Sequence, residues 1–151
     1  MKLCDYLTED TVVADVTAAG KNDAIAELAG TLRRSPAVRD VEEFLGAVFA
    51  REMESSTGIG DGIAVPHART DSVGDFVAAV GRVPYGVDFQ AVDGKPVTLI
   101  ILMGIPTRMV KPYLKMLAHL SLLVKQPEFA EAVRHAEDGA GLLGAFETFE
   151  Q

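Results

Sequence analysis

The sequence predicts an α/β fold, a mixed central β-sheet flanked by helices on both faces. Two observations lead there. Stretches with apolar residues at i, i+3, i+4 and i+7 alternate along the chain with short extended runs, the order found in layered sheet-and-helix domains. Val97 to Met103 is almost continuously apolar between turn residues, which fits a central strand buried on both faces. A length of 151 residues matches one domain, 1–151. A chain of this size buries roughly 68–70% of its unfolded surface, enough for a core without disulfide or metal staples.

Taken in order, Thr11-Val12-Val13 reads as a short edge strand. Asn22 or Asp23 can cap a helix to about Leu32, because Ile25, Leu28, Ala29 and Leu32 share one helical face. Ser35-Pro36 breaks the chain. Asp40 and Glu43 have the spacing of a capping box; they open a helix to about Met53 that buries Phe44, Leu45, Val48 and Phe49. A glycine-rich stretch follows. Ile63 to Val65 is then a short strand ended by Pro66, whose ring fixes its own φ and pushes Val65 towards extended backbone. After a polar turn, Phe76 to Val83 reads as a strand. Tyr85 to Phe89 and Val92 to Pro96 read as loop and turn, and Gly104 to Thr107 ends the central strand. A helix starts near Pro112 and runs to about Lys125 on the stripe Tyr113, Leu117, Leu120 and Val124. Pro127 suits the first turn of a helix ending near His135, and Leu142 to Phe149 makes a last short one.

The formal net charge of −8 argues against nucleic acid, whose phosphates demand a basic face. It is compatible with a basic protein partner, and equally with a surface that serves solubility. No apolar run reaches the ~20 residues of a membrane span. The first residues have no apolar signal region, so the expected compartment is the cytoplasm. The single cysteine, Cys4, has no partner for an intramolecular disulfide and reads as an inert small hydrophobe. Scattered histidines and one cysteine give no metal-ligand spacing, and no cofactor is called for.

Chemistry concentrates in Ser56-Thr57-Gly58-Ile59-Gly60-Asp61-Gly62-Ile63-Ala64-Val65-Pro66-His67-Ala68-Arg69. Imidazole exchanges protons and attacks electrophiles near neutral pH. A histidine on stiff backbone beside an arginine suits phosphoryl chemistry; the spacing alone also fits a histidine that merely caps a strand end. Together with Arg51-Glu52, this run resembles the phosphorylation motif of the enzyme IIA domains of the fructose/mannitol class. These belong to the bacterial phosphoenolpyruvate-dependent phosphotransferase system, and the stand-alone nitrogen-regulatory members carry nearly the same string. The likeness extends through Gly86-Val87-Asp88-Phe89 and Asp93-Gly94-Lys95-Pro96-Val97 to about Leu122. It implies an enzyme IIA mannitol/fructose-like fold and a phosphoryl acceptor at His67, with Nε2 attacking and Nδ1 oriented by an acceptor.

Around His67, Arg69 has a guanidinium fork suited to phosphate oxygens, or is a solvated loop arginine. Gly60 and its neighbours offer backbone N–H groups to phosphate, or only make a tight turn. Ser56 and Thr57 donate hydrogen bonds near the histidine, or only satisfy that turn. The family's second histidine, at the start of the helix after the central strand, is replaced here by Tyr113. A phenol can donate one hydrogen bond to phosphate but does not share a proton near neutral pH. Its hydroxyl is expected close enough to His67 to touch the phosphoryl group. His119 lies about 240° round the helix from Tyr113 and reads as solvated; His135, near a helix C-terminus, reads as structural. The basic loop Thr107 to Lys111 either adds phosphate contacts or is solvated, and Ile59 and Ile63 are candidates for a docking surface.

The resemblance implies a phosphocarrier of the sugar phosphotransferase system. It takes a phosphoryl group from HPr or a relative and gives it to a IIB component, meeting the membrane only through the transporter. The alternative is a nitrogen-type regulator whose phosphorylation state controls binding to a kinase or transporter.

Overall fold

The computed structural model describes residues 1–151. Short 3-10 turns at Leu3–Tyr6 and Glu9–Thr11 lead into β1 (Val12–Val13). Helices α1 (Lys21–Gly30) and α2 (Val41–Glu54) follow, then three short strands, β2 (Gly58–Gly60), β3 (Ile63–Ala64) and β4 (His67–Arg69). The long strands β5 (Val77–Val87) and β6 (Val97–Ile105) come next, and α3 (Val110–Leu123), α4 (Pro127–His135) and α5 (Gly139–Phe149) end the chain.

The sheet is mixed, as the sequence predicts. β5 and β6 form its antiparallel centre, with Val80 opposite Ile101. β1 lies parallel along the outer edge of β5. The other edge of β6 is shared by two strands laid end to end. β3 pairs with Leu99 and Ile100, β4 pairs with Met103, Gly104 and Ile105, and both run parallel to β6. β2 closes that side as the antiparallel partner of β3.

Successive β6 residues enter opposite cores, the period-two alternation of a strand. Leu99, Ile101 and Met103 pack with Met116 and Leu120 of α3, Phe129 of α4 and Phe146 of α5. Ile100 and Leu102 pack with Ile25 and Leu28 of α1 and Phe44 and Val48 of α2. Both faces of the sheet are therefore covered by helices, and β6 reads as a nearly unbroken apolar run for that reason. Gly104 lets α2 approach: a Cβ there would lie 2.7 Å from Phe44 Cε1 and 2.8 Å from Val77 Cγ2.

Several elements differ from the sequence reading in extent. β5 runs on through Tyr85, Gly86 and Val87, taken from sequence as loop, because Val87 pairs with Val97 across an irregular register. Gly58 to Gly60 forms a strand rather than a loop, held by its partner β3 and not by intrinsic preference. The turn between them places Gly60, Asp61 and Gly62 at positive φ, which glycine adopts without a Cβ clash. α1 opens one turn before the expected caps, with Gly20 at its N-cap and no side-chain cap. Asp40 does cap α2, accepting from the Glu43 N–H at 3.0 Å. α3 begins at Val110, before Pro112, because a proline in the first turn removes an N–H that has no helical partner anyway. Its buried stripe is Met116, Leu120 and Leu123, with Tyr113, Leu117 and Val124 half-buried beside it.

The last helix closes on the first residues. The Glu150 carboxylate, buried, accepts from the Leu3 N–H at 2.5 Å and the Cys4 N–H at 2.9 Å. His119 Nε2 lies 2.6 Å from Glu150 Oε2, so His119 is a structural partner and not the solvated residue expected from its helix position. Burial, reinforced by Glu150, pushes the Cys4 thiol up to about 11, which keeps it protonated and inert.

Candidate active site

Pro66 separates β3 from β4, and its carbonyl accepts from the Met103 N–H at 3.0 Å, so the break stays tied to β6. His67 therefore opens β4 opposite Met103, on backbone fixed from two sides, and is only 8% exposed. Its Nδ1 lies 2.9 Å from the Val65 carbonyl oxygen. A carbonyl only accepts, so Nδ1 carries the proton and Nε2 keeps its lone pair. The Tyr113 hydroxyl, 2.9 Å from Nε2, donates to that lone pair. The two rings stand 5.3 Å apart and tilted by 40°. Burial holds the His67 pKa below its ordinary value. The nearby Arg51 and Arg69 cations add to this, while the Val65 hydrogen bond and Glu52 oppose it. The ring is thus neutral at neutral pH, with Nε2 carrying the lone pair.

His67 lies in an open cleft of about 710 Å³. Ala47, Ala50, Arg51 and Glu54 of α2 form one wall, Ala68 and Arg69 of β4 continue from His67, and Thr107, Val110, Tyr113 and Leu114 form the other. The Arg69 guanidinium stands 6.0 Å from the centre of the Tyr113 ring, within cation–π reach. Arg51 donates to the Ser55 carbonyl at 2.9 Å. Thr107 is held by Asp71, its hydroxyl 2.8 Å from Oδ1. The cleft brings a buried imidazole, a phenol and two guanidinium groups to one place, a set that can receive a dianionic group.

Of the residues singled out from sequence, Arg69 and Tyr113 share this cleft with His67. Ser56, Thr57 and Gly60 do not line it. The Ser56 hydroxyl donates to the Phe89 carbonyl at 2.5 Å, and the Thr57 hydroxyl donates to Glu52. Gly60 sits at the end of β2, and β2 pairs with β3, whose partners are Leu99 and Ile100 and not the Met103 end of β6. Ile59 and Ile63 also lie outside the lining, where Ala47, Ala50, Val110 and Leu114 supply the apolar surface. In the basic loop, Arg108 donates to the Gly74 carbonyl at 3.1 Å and does not line the cleft. Arg51 is the cleft cation that sequence reasoning noted only as part of a motif. Its spacing, i+7 from Phe44 and i+3 from Val48, sets it at the edge of the buried face of α2, and that was the available signal that it turns towards the sheet rather than into open solvent.

Residues 5–148 match the family described as phosphoenolpyruvate-dependent sugar phosphotransferase system, EIIA 2. The chain belongs to this family. A fructose-specific EIIABC component of Bacillus subtilis is 34% identical over 143 residues, which is 95% of this EIIA chain and 22% of that protein. A fructose-specific EIIA component of Haloferax volcanii is 34% identical over 119 residues, covering 79% of this chain and 77% of the relative. The crystal structure of nitrogen regulatory protein IIA-Ntr from Neisseria meningitidis superposes with a TM-score of 0.87 at 27% identity, over 95% of this chain and 97% of that one. This EIIA chain thus has the enzyme IIA fold that its motif implies. No helix is long and apolar enough to cross a membrane.

Proposed function

We propose that His67 is the phosphoryl acceptor of this EIIA chain, read as one phosphocarrier domain over residues 1–151. The observation that carries the reading is the division of the imidazole: Nδ1–H is held by the Val65 carbonyl, and Nε2 presents its lone pair beside two arginines. Nε2 attacks phosphorus as the bond from phosphorus to the donor atom of an HPr-type carrier breaks. The Nδ1 proton stays in place, so no base is required. A thiolate of a IIB component then attacks phosphorus, the P–Nε2 bond breaks, and the neutral ring returns. The transition state is loose, so positioning and charge do most of the work. Arg51 and Arg69 are placed to meet the phosphoryl oxygens. The Tyr113 hydroxyl gives up Nε2 as the bond forms and turns to donate to a phosphoryl oxygen.

Incubation with phosphoenolpyruvate, enzyme I and HPr tests this by intact mass. One acid-labile, alkali-stable phosphoryl group is expected, mapping to His67 and absent from His67→Ala. Full labelling of that variant overturns the assignment. The chain would act in the cytoplasm and meet a membrane only through its transporter partner.

A second reading is supported by the likeness to the Neisseria meningitidis nitrogen regulatory protein. In it, the charge on phosphorylated His67 alters affinity for a kinase or transporter. Discharge of the phosphorylated chain onto a IIB domain favours the carrier. A partner that binds one phosphorylation state, with no discharge onto any IIB, favours the regulator.

A further inference from the structure

We propose that Glu52 is a positioning residue for this transfer: buried on α2 and outside the cleft lining, it sets the orientation of the His67 ring through Thr57 and Val65. The inference rests on reading His67 as the acceptor. Glu52 accepts from the Thr57 N–H, at 3.2 Å to Oε1 and 3.3 Å to Oε2, and from the Thr57 hydroxyl. The Thr57 carbonyl accepts the Val65 N–H at 3.0 Å. The Val65 carbonyl accepts the His67 Nδ1–H at 2.9 Å. Each residue along this path is gripped on both sides of its Cα, so displacement of the carboxylate passes to the ring.

A buried carboxylate needs a cation, and Lys21 Nζ is 2.7 Å from Glu52 Oε2. Lys21 lies 5.1 Å from the centre of the Phe89 ring. The pair could be read as a structural ion pair between α1 and α2. Two features go further. The acceptor capacity left after Lys21 is spent on Thr57, whose carbonyl is the one that Val65 uses. And an unpaired carboxylate would repel a phosphoryl dianion received on a neighbouring element, whereas the Lys21–Glu52 pair is neutral and holds geometry without that repulsion.

The test combines ¹⁵N NMR of the His67 ring with single-turnover phosphorylation of the full chain. The parent should show the Nδ1–H tautomer. In Glu52→Ala and in Thr57→Val the Nε2–H tautomer should appear alongside it. Their phosphorylation rate constants should fall at least about tenfold, as small misplacements of reacting groups do. The HPr concentration for half-maximal rate should stay put, because neither residue lines the cleft. The double variant Lys21→Met with Glu52→Gln keeps an acceptor for Thr57 and buries no charge. It should keep the Nδ1–H tautomer and a rate within roughly threefold of the parent. If Glu52→Ala fails to fold, Thr57→Val and the double variant decide the matter. A folded Glu52→Ala or Thr57→Val protein with the parental tautomer and rate overturns the proposal. The tautomer is read without any donor, so a parent that takes no phosphoryl group sinks the functional reading and leaves the positioning result standing.

Discussion

Tyr113 and Val65 divide the two nitrogens of His67 between them. Val65 takes the proton-bearing Nδ1 and Tyr113 covers the Nε2 lone pair. During transfer the hydroxyl would leave Nε2 and donate to a phosphoryl oxygen, and the net gain of such a hydrogen bond is worth about 0.5–1.5 kcal/mol, or roughly a factor of 2 to 13 in rate. Tyr113→Phe should therefore slow single-turnover phosphorylation of His67 by such a factor; a rate equal to the parent's ends the role of the hydroxyl. The depressed His67 pKa gives a second expectation. On acidification the unfolded chain takes up the proton first, so this group's contribution is whole above about pH 6.5 and is lost as pH falls towards the folded value. Urea midpoints should thus fall less between about pH 7.5 and 5.5 in His67→Asn than in the parent. Tyr113 was legible in the sequence because it replaces a histidine in a recognisable string. From sequence, two roles stay open for Ser56 and Thr57 because their hydroxyls answer to the Phe89 carbonyl and to Glu52 outside the cleft, and His119 reads as solvated because its partner Glu150 lies thirty-one residues on.

The strands and helices carrying the cleft were legible to different degrees, and the difference has a cause. α2 and α4 announce themselves through a capping aspartate and a first-turn proline, which act locally. β6 announces itself because both cores draw on it. β2 and the far end of β5 are strands only by virtue of their partners, and pairing is not written in a local window. The contact of α2 with the sheet beside β4 depends on Gly104. Gly104→Ala places a Cβ against Phe44 and Val77, and overpacking of this kind typically costs about 1–3 kcal/mol. A lowered Tm is expected. Slower His67 labelling should accompany it, since Ala68, next to His67, pairs with Gly104. An unchanged Tm would mean that α2 moves off at no cost.

Across the molecule, the sheet separates two cores and one buried carboxylate joins the first residues to the last helix. Glu150→Ala would orphan the Leu3 and Cys4 N–H groups and the His119 ring. Each unsatisfied buried group costs roughly 1–3 kcal/mol, so a loss of a few kcal/mol in denaturant unfolding is expected, with His67 labelling retained in the protein that remains folded. A loss near zero would mean that water replaces the carboxylate. The same closure has a topological consequence. Leu3 and Glu150 touch, so the order in which the chain visits its elements is not essential to the architecture. A circular permutant, with residues 151 and 1 bridged by a short glycine linker and new ends opened at the exposed Arg33–Arg34 turn, should fold to the same sheet and still take one phosphoryl group on His67.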